Sequence, residues 1–433
     1  MEYKYDNKII CGDCIKIMAQ LPENFVDAIV TDPPYGFSFM GKEWDKFGTN
    51  LQKYQEWTRQ WAKQAFRVLK PGGHMLIFGG TRTYHRMVCG IEDTGFEIRD
   101  CMMWIFSTGF PKSLDISKAI DKLKKAKREK TGESQKFGRC DSGIYQMNVN
   151  NPPKMKFNCY DKPATPEAKQ WDGWGTTLKP AYEPIVVARK PLSENNVAMN
   201  VLRWGTGGLN IDGCRIETTD VLSFGSRNIG NGIIYNTCKP TTEGKQNQYG
   251  RFPSNIMFEC ICDEVVNNQH TNPDCPCHIL DKQSGVRKSS GIKNRDSQKD
   301  TQDVGGASRF FYCAKASTSE RNMGLKNADA KIDCDRNPEC YSANVPFNRI
   351  RRLQLNRSGK INHHPTVKPI KLMEYLVKLV TPPDGIVLDP FAGSGSTLIA
   401  CKKLGFRYIG IEQEAEYVEI ANKRLKSIPD TLF

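Results

Sequence analysis

No stretch of this 433-residue chain approaches the roughly 18 uninterrupted apolar residues that a membrane-spanning helix requires, so no span is expected. The N-terminus, Met1-Glu2-Tyr3-Lys4-Tyr5, lacks the apolar segment of an export signal, and a cytoplasmic chain is expected. Also missing are an internal repeat and a long low-complexity tract, which argues against a solenoid or a fibrous array. The sixteen cysteines do not read as the disulfide framework of a small secreted domain. A chain of this length buries its own core, so reduced thiols are expected, with room for one metal cluster. A hydrophobic fraction of 39% and seven tryptophans exclude a disordered polymer.

What is present in excess is positive charge. The net charge of +14 and the pI near 9.0 favour a polyanionic partner, nucleic acid being the commonest; a merely basic surface is the alternative. Along the chain the pattern falls into zones. Residues 1–110 alternate strands and helices: a buried strand at 26–30, a helix over 57–69 stopped by Pro71-Gly72-Gly73, then strands at 74–78 and 98–106. That alternation predicts an α/β fold with a mostly parallel sheet covered on both faces. Residues 111–177 form a basic insert, with Lys122, Lys124, Lys125, Lys127, Arg128 and Lys130 crowding one helix end. Residues 178–192 hold a strand, Glu183 to Arg189, that returns to the sheet. Residues 193–360 lack clear periodicity and carry a second basic cluster at Arg349, Arg351, Arg352 and Arg357. From 361 to 433 the alternation resumes, with helices at 370–379, 396–404 and 414–425 and strands at 386–388 and 408–411. Both chain ends therefore share one domain, interrupted in the middle.

Two motifs carry the chemistry. Asp389-Pro390-Phe391-Ala392-Gly393-Ser394-Gly395-Ser396-Thr397 follows a strand and opens a helix, where glycines let backbone approach a ligand. The third glycine of a dinucleotide fingerprint is replaced by Leu398, and the lysine of a phosphate loop is absent. Glu412, at the end of the next strand, can accept both hydroxyls of a ribose. An adenosine without pyrophosphate fits, which points to S-adenosylmethionine. The second motif is Asp32-Pro33-Pro34-Tyr35, just after a strand. Its prolines stiffen the backbone and remove two N–H donors. Asp32 and the Pro33 carbonyl can accept hydrogen bonds from an exocyclic amine, and Tyr35 can stack on a flipped base.

Together these motifs resemble the β-class amino-methyltransferases of DNA, in which the catalytic tetrapeptide precedes the target-recognition region and the cofactor loop comes last. Gly12-Asp13, Leu69-Lys70-Pro71-Gly72-Gly73 and His364-Pro365-Thr366-Val367-Lys368-Pro369 match as well, and Leu178 to Pro191 resembles phage and prophage members. The resemblance implies a Rossmann-like methyltransferase domain with circularly permuted motif order and an inserted recognition region. It implies S-adenosylmethionine as cofactor, cradled by Asp389, Phe391, Ala392, Gly393, Ser394, Gly395 and Thr397. Glu412 would lie on its ribose, Asp13 near its adenine, and Thr366 and Lys368 near its methionine carboxylate. A helix entry is the alternative reading of His364-Pro365-Thr366. The catalytic group would be Asp32, Pro33, Pro34 and Tyr35, and the substrate a flipped adenine in double-stranded DNA.

Asp at position 32 accompanies adenine N6 in this family, whereas Ser there accompanies cytosine N4. Cytosine-N4 and RNA-adenine methylation stay open as alternatives. The intact tetrapeptide argues against a silent DNA-binding module, and the motif order disfavours a release-factor glutamine methyltransferase. A homodimer is compatible with the sequence. Finally, Cys260, Cys262, Cys275 and Cys277, with His270 between, are candidate ligands of a structural zinc; buried reduced thiols are the alternative.

Overall fold

A computed structural model describes residues 5–37, 51–107, 113–129, 162–217, 250–262, 269–288, 304–315, 318–325 and 366–429, with short pieces at 109, 132–134, 139–140, 143–144, 157–159, 265–266, 362 and 364. Lys130, Pro365 and the second basic cluster, Arg349 to Arg357, lie outside the described residues. By packing, residues 1–107, 182–324 and 364–433 group into one unit, and 108–181 with 325–363 into a second.

The first unit is built on a nine-stranded sheet. In chain order its strands are β1 (Lys8–Cys11), β2 (Val26–Thr31), β3 (Leu69–Phe78), β4 (Glu97–Ile105), β5 (Tyr182–Arg189), β6 (Ile256–Cys260), β7 (Tyr312–Lys315), β8 (Ile386–Asp389) and β9 (Arg407–Glu412). Their spatial order is β1-β9-β8-β2-β3-β5-β4-β6-β7. Only β5 runs against its neighbours, β3 and β4; every other pairing is parallel. Two of these strands, β6 and β7, come from the stretch that the sequence assigns to the recognition region.

Its helices α1 (Cys14–Met18), α2 (Leu51–Val68) and α3 (Tyr84–Glu92) contribute Met18, Trp61 and Met87 to one buried layer. On the opposite layer lie Leu372, Leu376 and Ile399, from the helices spanning Ile370–Val380 and Ser396–Leu404. Strand β3 feeds both layers by alternation: Met75 and Ile77 face the first, Leu76 and Phe78 the second. Central strands buried on both faces explain the unbroken apolar runs in the sequence.

The expected helix stop at Pro71-Gly72-Gly73 lies inside β3, which begins at Leu69. Within that strand Gly72 adopts φ +78, and a Cβ there would lie 2.4 Å from Asn200 Nδ2. Among the described residues no helix is long and apolar enough to cross a membrane.

In the second unit, α4 (Ile116–Leu123) is capped by Asp115, and α5 (Pro166–Gln170) by Thr165. Buried Asp121 ties them together by accepting from the Ala164 and Thr165 amides and the Thr165 hydroxyl, and it pairs with Arg128 at 3.3 Å.

Candidate active site

The longer helices after α5, among the described residues, are α6 (Val197–Trp204), α7 (Pro276–Ser284), α8 (Ile370–Val380), α9 (Ser396–Leu404) and α10 (Ala415–Lys426). From β2 the chain proceeds to β3 on one side; from β8 it proceeds to β9 on the other. The neighbours β2 and β8 therefore flank the topological switch point, where open α/β sheets form a ligand crevice beyond their strand ends. Both motifs emerge there, Asp32 from β2 and Pro390 from β8.

A direct hydrogen bond joins them: the Thr31 hydroxyl donates to Asp389 Oδ1 at 2.7 Å, across 358 residues of chain. Asp389 also accepts from the Phe391 amide at 3.1 Å and the Thr397 hydroxyl at 2.6 Å. Burial pushes its carboxyl up to about 6, against the opposing pull of these hydrogen bonds. Asp389 and Thr397 thus shape the loop from beneath.

Above them, Glu412 Oε2 accepts from the Gly393 amide at 2.8 Å, and Oε1 from the Glu414 amide at 2.9 Å. Burial raises the Glu412 pKa despite these amides. Gly393 takes φ +51, and a Cβ there would lie 2.6 Å from His364 Nε2, so no side chain fits. The His364 ring meets Tyr417 edge-on at 4.5 Å. Ala392 is buried, its amide donating to the Ile411 carbonyl. Buried Arg424 donates to Ser394 Oγ at 3.0 Å and anchors the loop from α10; burial draws its pKa down to about 10. The Phe391 ring packs against Trp57 at 5.6 Å and Trp61 at 5.4 Å, fixing the loop to α2.

Asp13 caps α1 by accepting from the Lys16 amide at 2.9 Å, and its neighbour Gly12 donates to the Glu412 carbonyl at 2.9 Å. The structure therefore brings Asp13 to the end of β9. The Thr366 amide contacts His364 Nδ1 at 3.3 Å.

The tetrapeptide is held equally firmly. Tyr54 donates to the Pro34 carbonyl at 2.9 Å, and Thr83 to the Tyr35 carbonyl at 2.6 Å. The Tyr35 hydroxyl lies 2.7 Å from Asp32 Oδ1 and 3.1 Å from Glu183 Oε2. Lys368 Nζ spends its three N–H donors on Asp32 Oδ2 at 2.7 Å, Glu183 Oε2 at 3.0 Å and the Tyr35 hydroxyl at 3.2 Å. Burial alone would lower the Lys368 pKa, but the charges of Asp32 and Glu183 outweigh it and hold the ammonium above the ordinary lysine value. Burial, then the same two carboxylates, raises the Tyr35 hydroxyl well above its usual range. With Tyr35 neutral, two carboxylates and one ammonium leave one net negative charge at the site.

Two features here go beyond the sequence reading. Lys368, assigned to a methionine carboxylate, is engaged with Asp32 and Glu183. Glu183, read only as the start of a strand, faces the tetrapeptide. The one signal for it was an acid at the head of the otherwise apolar run Pro184 to Ala188.

Far along the sheet, the sulfurs of Cys260, Cys262 and Cys275 and a ring nitrogen of His270 all lie within 4.8 Å of one another. Cys277, expected with them, instead has its sulfur 3.2 Å from that of Cys313. Cys277 and Cys313 form a second group around His270 that adjoins the first.

The chain is similar to known proteins along most of its length. M.HindIII of Haemophilus influenzae, a type II methyltransferase, is 22% identical over 451 aligned residues, which cover 96% of this chain and 93% of that protein. M.HpaI of Haemophilus parainfluenzae, also a type II methyltransferase, is 33% identical over 121 residues, 27% of this chain and 38% of that protein. The solved structure of the PvuII cytosine-N4-specific DNA methyltransferase aligns over 99% of this chain and 91% of its own, at 13% identity and a TM-score of 0.43. The model of the N6/N4 methyltransferase family, described as a DNA methylase, matches residues 26–423, and the chain belongs to that family of DNA methyltransferases.

Proposed function

We propose that this chain transfers the methyl group of S-adenosylmethionine to the exocyclic N6 of an adenine flipped out of double-stranded DNA, in a site-specific manner. The observation that carries this reading is the Thr31–Asp389 hydrogen bond, which seats the Asp32 tetrapeptide beside the Gly393 turn at one crevice. The residues present fit the cofactor: a turn stripped of Cβ at Gly393, backed by the Glu412 carboxylate at a strand end. Glu412 would hold the ribose hydroxyls and Phe391 to Gly395 would line the remainder. When bound, S-adenosylmethionine supplies a sulfonium methyl that is already a strong electrophile.

The protein's own work is alignment and charge. An exocyclic amine is a poor nucleophile because its lone pair is delocalised into the ring. Hydrogen bonds accepted by Asp32 and the Pro33 carbonyl favour a pyramidal nitrogen, and Pro33 and Pro34 offer no competing N–H. The net negative charge of Asp32, Glu183 and Lys368 opposes the positive charge that grows on that nitrogen. Asp at position 32, rather than Ser, favours adenine over cytosine.

The phosphate backbone is matched by charge asymmetry. The two stretches of the second unit hold 23 Lys and Arg against 12 Asp and Glu, a net +11 of the chain's +14. They are the segment best suited to replace phosphate counterions. Methylation-aware sequencing of DNA from cells expressing the chain tests the whole reading. N6-methyladenine at a recurrent short site is the expected result; N4-methylcytosine would overturn the base assignment, and unmodified DNA with methylated RNA would overturn the substrate.

A further inference from the structure

Strand β6 ends at Cys260, and its apolar surroundings, Phe258, Ile105, Ile261, Leu280 and Phe311, enclose a small core whose centre is sulfur rather than hydrocarbon. Cys260, Cys262 and Cys275 are buried and free of disulfides. His270 Nδ1 lies 3.3 Å from the Cys260 sulfur, 3.7 Å from Cys262 and 3.9 Å from Cys275.

These separations match a specific coordination geometry. A tetrahedral zinc with Zn–S near 2.3 Å and Zn–N near 2.0–2.1 Å places each sulfur about 3.6 Å from the nitrogen. The three observed distances straddle that edge length. Three sulfurs spaced around one imidazole nitrogen, each at van der Waals range or closer, is an arrangement that apolar packing gives no reason to build.

The surroundings fit as well. Cys275 is the N-cap residue of the nine-residue helix α7, where unpaired amides and the helix dipole favour a thiolate. The Asn272 amide points at the Cys262 sulfur at 3.4 Å, the kind of outer contact that orients a metal ligand. Among the described residues, one further group overlaps this one, His270 with Cys277 and Cys313. Its two sulfurs, 3.2 Å apart, are closer than the roughly 3.8 Å that two ligands on one tetrahedral zinc would keep.

We infer that Cys260, Cys262, His270 through Nδ1, and Cys275 bind one structural zinc ion, with Cys277 and Cys313 outside the ligand set. The ion ties Cys262, His270 and the start of α7 at Cys275 to the end of β6. That end lies on the same edge of the sheet as Asp32 and Asp389, four strands from β2, about 19 Å away at ordinary strand spacing. The zinc therefore takes no part in methyl transfer and fixes a loop on the edge that carries the chemistry.

Metal analysis of the full chain, purified from zinc-supplemented cells and freed of loose metal, should find about one zinc per chain. Cobalt exchanged into the site should show the visible bands of a tetrahedral, thiolate-bound ion. Zinc should be lost in His270→Ala and in Cys275→Ala, and kept in Cys277→Ala and Cys313→Ala. Because the losing variants could misfold, the wild-type chain alone also decides the matter: a folded protein holding no zinc and giving no thiolate–cobalt bands overturns the proposal. Retention in His270→Ala with loss in Cys277→Ala overturns the ligand set in favour of four cysteines.

Discussion

At the scale of single residues, the two carboxylates assigned to different partners should fail differently. Asp32→Ala removes an acceptor for the amine, so kcat should fall about 10²- to 10³-fold with S-adenosylmethionine affinity nearly unchanged. Glu412→Ala removes charge-assisted hydrogen bonds worth about 1.5–3 kcal/mol, so cofactor affinity should weaken roughly 10- to 100-fold. Calorimetric titration of the cofactor against both variants, beside single-turnover rates, separates the roles; equal loss of both properties in Asp32→Ala would contradict them.

Glu183 shares the Lys368 ammonium with Asp32. In Glu183→Gln the ammonium should turn fully on Asp32 and quench it as an acceptor, lowering kcat about tenfold with cofactor affinity unchanged. Adding Lys368→Met should recover part of that loss. A double variant worse than either single one would show that the pair serves only packing.

Asp389 gives a stability prediction with a definite sign. Its folded pKa of about 6 lies above the ordinary 3.8, so the native state binds the proton more tightly than the unfolded one. That stabilising contribution is complete below about pH 3.8 and is lost as pH rises through about 6, a span of roughly 3 kcal/mol. Asp389→Asn has no such proton. The unfolding free energy of the variant relative to the parent should therefore rise between about pH 4.5 and pH 7.5 in denaturant titrations. A constant difference would remove the ionisation as its cause.

At the scale of elements, helix α2 couples core and cofactor loop. Trp61 is fully buried and its ring lies edge-on to Phe391 at 5.4 Å. Trp61→Ala should cost about 3–5 kcal/mol of stability, and Trp61→Phe should keep the fold while loosening the loop. Weakened cofactor binding in Trp61→Phe at near-parental stability is the expected pair of results.

Elements also show what could be read before any coordinates. Strands β2, β8 and β9 were legible because each carries a short apolar run, at 28–30, 386–388 and 408–411, that leads into a motif acid, and burial on both faces favours that pattern. Strands β6 and β7 were not. They are five and four residues long and are set in stretches without periodicity. The Lys368–Glu183 pair was invisible for another reason: 185 positions separate the two residues, and no local spacing encodes a contact made by sheet order. The cysteine cluster was half legible. Spacing singled out Cys260, Cys262, Cys275 and Cys277 with His270 between, whereas the 3.2 Å approach of Cys277 to Cys313 joins positions 36 apart and has no local signal.

At the scale of the whole molecule, the charge asymmetry sets how DNA affinity answers to salt. If the basic helix end of the second unit contacts phosphate, Lys124→Gln, Lys125→Gln and Lys127→Gln together should lower the slope of log affinity against log salt by about 3. The loss should be uniform across DNA sequences. Filter binding of cognate and scrambled duplexes over a salt series checks it, and an unchanged slope would place the phosphate contacts elsewhere.

The bond between Thr31 and Asp389 has a kinetic corollary. A contact that closes most of the chain into a single loop is entropically slow to find. Competence for methyl transfer should then be among the last properties regained on refolding, trailing the recovery of helical circular dichroism. A fast return of secondary structure with delayed return of catalysis would be the signature of a centre stitched together from the two extremities of one polypeptide.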